Sequence, residues 1–126
     1  MSKIVKLLIF FSYFLTFSSL YAEVQLTKIL QAGKEKAETI CAACHGVTGK
    51  AESGGNSGAV PNIFAQQMDY LTLKLKEYKS GKLQHPQMTL IAQMLSEEDI
   101  ENVSEWYSRI KVEIIDPSIS LSEPGN

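Results

Sequence analysis

An all-α fold is predicted for this 126-residue chain. Three observations point to it: apolar residues recur at helical spacing in three stretches, good start and stop residues bound them, and no run alternates strongly enough for a strand. The length allows one domain at most.

The chain opens on the basic stretch Met1-Ser2-Lys3-Ile4-Val5-Lys6, followed by an apolar, aromatic-rich core from Leu7 to Phe17 and then Ser18-Ser19-Leu20-Tyr21-Ala22. That is the layout of a secretory signal peptide spanning residues 1–22. Leu20 stands where a small residue is usual, so a retained anchor is the competing reading, but the apolar core is short of the ~20 residues a span needs. Cleavage leaves residues 23–126, with ten basic residues against fourteen acidic ones. A mildly acidic domain is a poor nucleic-acid binder, because phosphate recognition needs clustered positive charge. It is also not charged enough to be disordered.

In the first helical stretch Leu26, Ile29, Leu30, Gly33, Ala37 and Ile40 recur at spacings of three and four and lead into Cys41. Gly46 to Val60 follows, with five glycines and no periodicity, and reads as loop. The second helix is expected over Asp69 to Ser80, with Leu71, Leu75 and Tyr78 in one stripe and Gly81 as a stop. A short helical turn is expected from about Thr89 to Leu95. The last helix is expected from about Glu97 to Lys111: Ser96 is a good N-cap, Glu97, Glu98 and Asp99 suit the positive end of the helix dipole, and Ile100, Val103, Trp106, Tyr107 and Ile110 form the apolar face. After Val112, Pro117, Pro124 and several serines describe a loose extension. The organisation is therefore a leader over 1–22, a folded domain over 23–112 and a tail over 113–126.

The chemistry is concentrated in Cys41-Ala42-Ala43-Cys44-His45. C-x-x-C-H is the attachment pattern for a covalent haem: two thiols three positions apart lie on one side of a helical turn and reach neighbouring vinyl groups, while the adjacent imidazole meets the iron. Both cysteines of the chain lie inside this run, so attachment leaves no free thiol and no disulfide. A thioredoxin-like dithiol needs a βαβ context that is missing here. A structural zinc site needs four ligands, and only His85 is left to help.

The motif is accompanied by Gly33 before it and by Gly46 and Gly49 after it. Further on come Pro61-Asn62-Ile63, Gln66, Tyr70-Leu71, Leu75, Tyr78 and Lys79-Ser80-Gly81-Lys82, then Met88-Thr89, Leu95-Ser96, Asp99-Ile100 and Trp106-Tyr107. Over about residues 30 to 111 this resembles the class I c-type cytochromes, in particular the small bacterial monohaem kind and single halves of the tandem dihaem kind. The resemblance implies three main helices plus a short one around a covalently held haem c. It also implies thioethers from Cys41 and Cys44, His45 as proximal ligand, the Pro61 carbonyl on the other imidazole nitrogen, and Met88 as the distal sulfur ligand. The first and last helices would cross, with Gly33 and Ala37 letting Trp106 or Tyr107 approach.

One-electron transfer in the periplasm between protein redox partners is the activity so implied, without a small-molecule substrate and without enzymatic turnover; a monomer is the simpler expectation. Two alternatives are a haem subunit of a multi-subunit periplasmic oxidoreductase and a sensor or peroxidase with an open iron site. The chain departs from the family pattern in a longer loop between His45 and Pro61, in Phe64-Ala65 where a small residue and a glycine are usual, and in Leu83 where a basic residue is common.

Several residues carry a plainer reading. Met88 could be core packing, with Met68 and Met94 as rival ligands, although Met94, beside Leu90 and Leu95, is expected in the core. His85, in Gln84-His85-Pro86, is read as a solvated turn residue with bis-histidine ligation as its rival. Packing between helices explains Trp106 and Tyr107. Lys74, Lys76, Lys79 and Lys82 are read as a solvated face, or alternatively as a docking patch.

Overall fold

The computed structural model describes residues 3–51 and 60–113. Helix α1 spans Lys3–Lys36 and passes into a π-helical turn, Ala37–Cys41, and then α2, Ala42–His45; α3 is Met68–Lys79, α4 Pro86–Met94 and α5 Glu97–Ser108. No strand occurs among the described residues, and the all-α expectation is met. The expected tail from residue 114 onward and residues 52–59 of the glycine-rich loop lie outside the described residues. The backbone of α1 continues through Ala22 without interruption, exposing Phe10, Phe17, Leu20 and Tyr21. Among the described residues no helix is long and apolar enough to cross a membrane.

Helix α1 packs on α5, and α3 packs on both α4 and α5. The α1–α5 contact is closest at Gly33, where a Cβ would lie 2.1 Å from the Asn102 carbonyl oxygen and 3.0 Å from Trp106 Cβ. A residue without a side chain is therefore required there for the two backbones to meet. One turn on, Ala37 is fully buried with Leu71, Val103 and Tyr107, and Cys41, Ile63, Leu75 and Trp106 pack around that cluster. Ala92, Leu95 and Ile100 are buried along the α4–α5 connection. Burial of a Leu or Ile side chain of this kind stabilises by about 1.5–3 kcal/mol each.

The start of α5 carries a full capping box. Ser96 Oγ accepts the Asp99 N–H at 3.0 Å, and Asp99 Oδ2 accepts the Ser96 N–H at 2.9 Å. Asp99 also meets Lys36 of α1 at 3.0 Å. Burial works to raise the Asp99 carboxyl, but the Ser96 groups and Lys36 outweigh it and hold the acid below its ordinary value. The helix ends at Ser108, three residues before the expected Lys111. The ladder ends because Ile110 N–H, which would donate to the Trp106 carbonyl in a continuing helix, donates to the Tyr107 carbonyl at 3.4 Å, and that carbonyl also accepts from Ala65 N–H at 3.0 Å.

The lysines of α3 and the residues after it are not a free cationic face. Lys74 and Lys82 both meet Glu77 at 2.7 Å, Lys76 pairs with Glu97 at 3.3 Å and Glu101 at 3.6 Å, and Lys79 donates to the Leu95 carbonyl. These contacts tie α3 to α5 and to the end of α4. The partly exposed ion pairs among them are each worth little to stability.

Candidate cofactor site

The C-x-x-C-H run sits where the first helix changes its winding. Cys41 closes the π-helical turn, and Cys44 and His45 lie on α2. Such a turn is frequent at functional positions because it re-aims side chains without ending the helix. Cys41 is part-buried and Cys44 exposed, and neither is in a disulfide. Burial pushes the Cys41 thiol up to about 11, against the lowering effects of the Tyr107 hydroxyl and Lys36. A dithiol exchange site needs the opposite, a thiol lowered toward neutral pH.

His45 is buried, and its Nδ1 lies 3.0 Å from the Pro61 carbonyl oxygen. A carbonyl only accepts, so Nδ1 carries a proton, and in the neutral tautomer this leaves the lone pair on Nε2. That is the tautomer a metal-ligating imidazole needs, with its orientation set by the bond on the other nitrogen. Two thiols three residues apart and outside any disulfide, followed by an imidazole whose Nδ1 is engaged by Pro61, form a donor set that fits a covalently attached haem.

The loop that carries Pro61 back to His45 is held from α5. Tyr107 donates its buried hydroxyl to the Gly46 carbonyl at 3.0 Å, and Trp106 Nε1 donates to the Val47 carbonyl at 2.8 Å. Within the loop, Gly49 N–H donates to Gly46 O at 3.1 Å and Ile63 N–H to Gly49 O at 2.8 Å, which joins the outgoing and returning arms. Gly49 has φ +82°, and a Cβ there would lie 2.6 Å from Phe64 N, so the crossing of the arms needs glycine. Ala65, on the returning arm, adopts φ 51° without being glycine. The departure Phe64-Ala65 thus falls on a position whose backbone favours the glycine it lacks. Burial, and then the neighbouring Cys41, raise the Tyr107 hydroxyl, so it stays a donor over the whole working pH range.

Met88 comes from a separate element. It is half-buried in the first turn of α4, whose start lies three residues earlier than Thr89 because Pro86 occupies the first helical position and His85 caps it. Met94 is 70% exposed at the end of α4, with the neighbouring Leu95 taking the core position, so the expectation that Met94 packs inside is corrected. Met68 begins α3, half-buried.

His85 is likewise not the solvated turn residue expected. Its Nδ1 accepts from the N–H groups of Gln87 at 3.3 Å and Met88 at 3.2 Å, and its ring meets Tyr78 edge-on with centroids 6.3 Å apart. An Nδ1 that accepts puts the proton on Nε2. Capping in this way and ligating a metal through Nε2 therefore exclude one another. The capping role of His85 and the donor roles of Trp106 and Tyr107 are the contributions sequence reasoning missed. Pro86 as a first helical residue, and the polar tip every buried Tyr or Trp must satisfy, were the available signals.

A model of the family described as Cytochrome c matches residues 30–109. Among curated proteins the chain is similar to cytochrome c-554(548) of Halomonas halodenitrificans, 38% identical over 80 residues, covering 61% of this chain and 90% of that protein. It is similar also to cytochrome c-553 of Helicobacter pylori, 34% identical over 71 residues, 56% of this chain and 71% of that protein. A third likeness, to cytochrome c4 of Pseudomonas aeruginosa, is 29% identical over 96 residues, 75% of this chain but 42% of the other.

Proposed function

This chain belongs to the cytochrome c family, a class I c-type cytochrome carrying haem c, and from that premise we propose that it is a periplasmic one-electron carrier whose iron is held between His45 and Met88. The bound haem supplies a one-electron couple between ferric and ferrous iron. The chain's own residues do the rest. Cys41 and Cys44 tether the macrocycle, Pro61 fixes the His45 ring through Nδ1, and Met88 offers a thioether from α4. Trp106 and Tyr107, by holding Gly46 and Val47, keep the Pro61 arm in place. Held by the Met88 thioether as well as the His45 imidazole, the haem would favour the reduced state and have a raised potential. With His45 and Met88 both holding the iron, no open position would be left for a substrate, which favours a carrier of electrons between protein partners over an enzyme. Export follows from the leader read over residues 1–22.

The observation that carries this reading is the His45 Nδ1 to Pro61 O contact at 3.0 Å directly after two unpaired cysteines. His85 supports it from the other side, since its capping geometry, with Nδ1 accepting from Gln87 and Met88 N–H, disfavours bis-histidine ligation. The test is a visible spectrum of protein matured where haem is attached, oxidised and reduced, for wild type and Met88→Ala. Wild type should show sharp reduced bands and the weak far-red band of ferric iron bound to thioether sulfur. Met88→Ala should lose that band and drop in potential. An unchanged band and potential in the variant would reject Met88 as ligand.

A further inference from the structure

We propose that His85 is a positioning residue for the ligand on α4, its imidazole fixing the backbone of Met88 by capping the helix. This rests on the reading of Met88 as ligand. The first N–H groups of a helix have no partner within it, and Pro86 has none to offer, so the groups that need a cap here are those of Gln87 and Met88. Both are taken by one atom, His85 Nδ1, at 3.3 and 3.2 Å. The cap is reciprocal: Thr89 Oγ1 accepts the His85 N–H at 3.0 Å, and the Thr89 N–H donates to the His85 carbonyl at 3.0 Å.

A short Ser, Asp or Asn would cap as well or better, and histidine is not among the preferred residues. What imidazole adds is reach and a ring. The ring stands edge-on to Tyr78 of α3, so the cap that holds Met88 is itself braced by the neighbouring helix. Met88 is thus suspended from α3 through His85, and not only from its own helix.

Loss of the cap frees the first turn of α4 and weakens the hold of the sulfur on ferric iron. Removing an N-cap acceptor typically shifts a helix equilibrium roughly two- to thirtyfold. The experiment uses the holoprotein and free imidazole, which competes with the Met88 sulfur. Ferric wild type, His85→Phe and His85→Asn are titrated with imidazole and followed by the far-red band, and exchange of the Met88 amide is measured alongside. His85→Phe keeps a ring against Tyr78 but has no acceptor. It should bind imidazole roughly fivefold more tightly, within that two- to thirtyfold range, with faster Met88 amide exchange. His85→Asn restores an acceptor and should return both readouts toward wild type.

Wild-type imidazole affinity in His85→Phe, or an equal rise in His85→Asn, would overturn the positioning role. If His85→Phe does not mature, His85→Ala decides the matter by removing the same acceptor without a ring: a raised imidazole affinity supports the role and an unchanged one overturns it. Retention of the far-red band in Met88→Ala would remove the ligand reading, and the positioning role with it. Its loss there, beside an unchanged His85→Phe, would remove the positioning role alone.

Discussion

Replacing Gly33 by alanine tests how closely α1 and α5 must approach. The added Cβ would fall 2.1 Å from Asn102 O, 2.8 Å from Asn102 C and 3.0 Å from Trp106 Cβ. An ordinary carbon–oxygen contact is about 3.3 Å, so relief requires the helices to separate by about 1 Å. The obstruction is backbone and cannot rotate away, which places the cost near the upper end, about 3 kcal/mol, of the usual overpacking range. Helix propensity acts in the opposite direction, since alanine is favoured over glycine in a helix interior by about 1 kcal/mol. The net expectation is a loss of about 2 kcal/mol, which for a domain of this size lowers Tm by roughly 10 °C. The assay is thermal unfolding of the holoprotein by far-ultraviolet circular dichroism, wild type against Gly33→Ala. The two effects have opposite signs, so the outcome is decisive. A Tm equal to or above wild type would mean that propensity prevails and that the Gly33–Asn102 approach is not what holds the helices together.

Two other perturbations follow from local geometry. Ala65 has φ 51°, a conformation that costs a residue with a side chain about 1–2 kcal/mol, while glycine loses about 0.4–1 kcal/mol through the unfolded chain; Ala65→Gly should therefore raise the guanidinium midpoint by an amount equivalent to about 0.5–1 kcal/mol, and a lowered midpoint would refute the strain argument. Hydrogen bonds from Lys74 and Lys82 hold the Glu77 carboxyl at about 2, against an ordinary 4.5. A depressed folded-state value contributes stability that is complete above pH 4.5 and is lost as pH falls toward 2. Glu77→Gln should flatten that part of the acid-unfolding curve, measured as denaturation midpoint against pH; parallel curves for variant and wild type would show that the two lysines do not act through this carboxyl.

What could be read along the chain was what depends on neighbours in sequence. Helix α5 was legible from Ser96 and the three acids after it because a cap and a dipole act within one turn. The end of α3 at Lys79 was legible from Gly81 for the same reason. The start of α4 was missed, although Pro86 signalled it, because histidine is an uncommon cap and its bracing by Tyr78 is a contact between helices. Trp106 and Tyr107 were correctly expected at the α1–α5 contact. That they also donate to Val47 and Gly46, 59 and 61 positions away, could not be inferred, since a polar tip's need for a partner does not identify the partner. Lys76 and Lys79 looked free because their partners, Glu97 and Glu101 on α5 and the Leu95 carbonyl, come from other elements; the Glu77 partner of Lys74 and Lys82 lies on α3 itself and was within reach of sequence reading.

The C-x-x-C-H run of Cys41, Cys44 and His45, and the haem attachment it points to, were determined by sequence alone, because residues so close along the chain present two thiols and an imidazole together. Which nitrogen of His45 is engaged by the chain was decided only by tertiary structure: Pro61 reaches its Nδ1 across a loop whose two arms are joined at Gly49 and held by α5. The role of His85 was decided there too, when α3 placed Tyr78 beside its ring. Spacing along a chain specifies which groups are near one another within a turn; the orientation of a ring depends on packing from elements that no local pattern encodes.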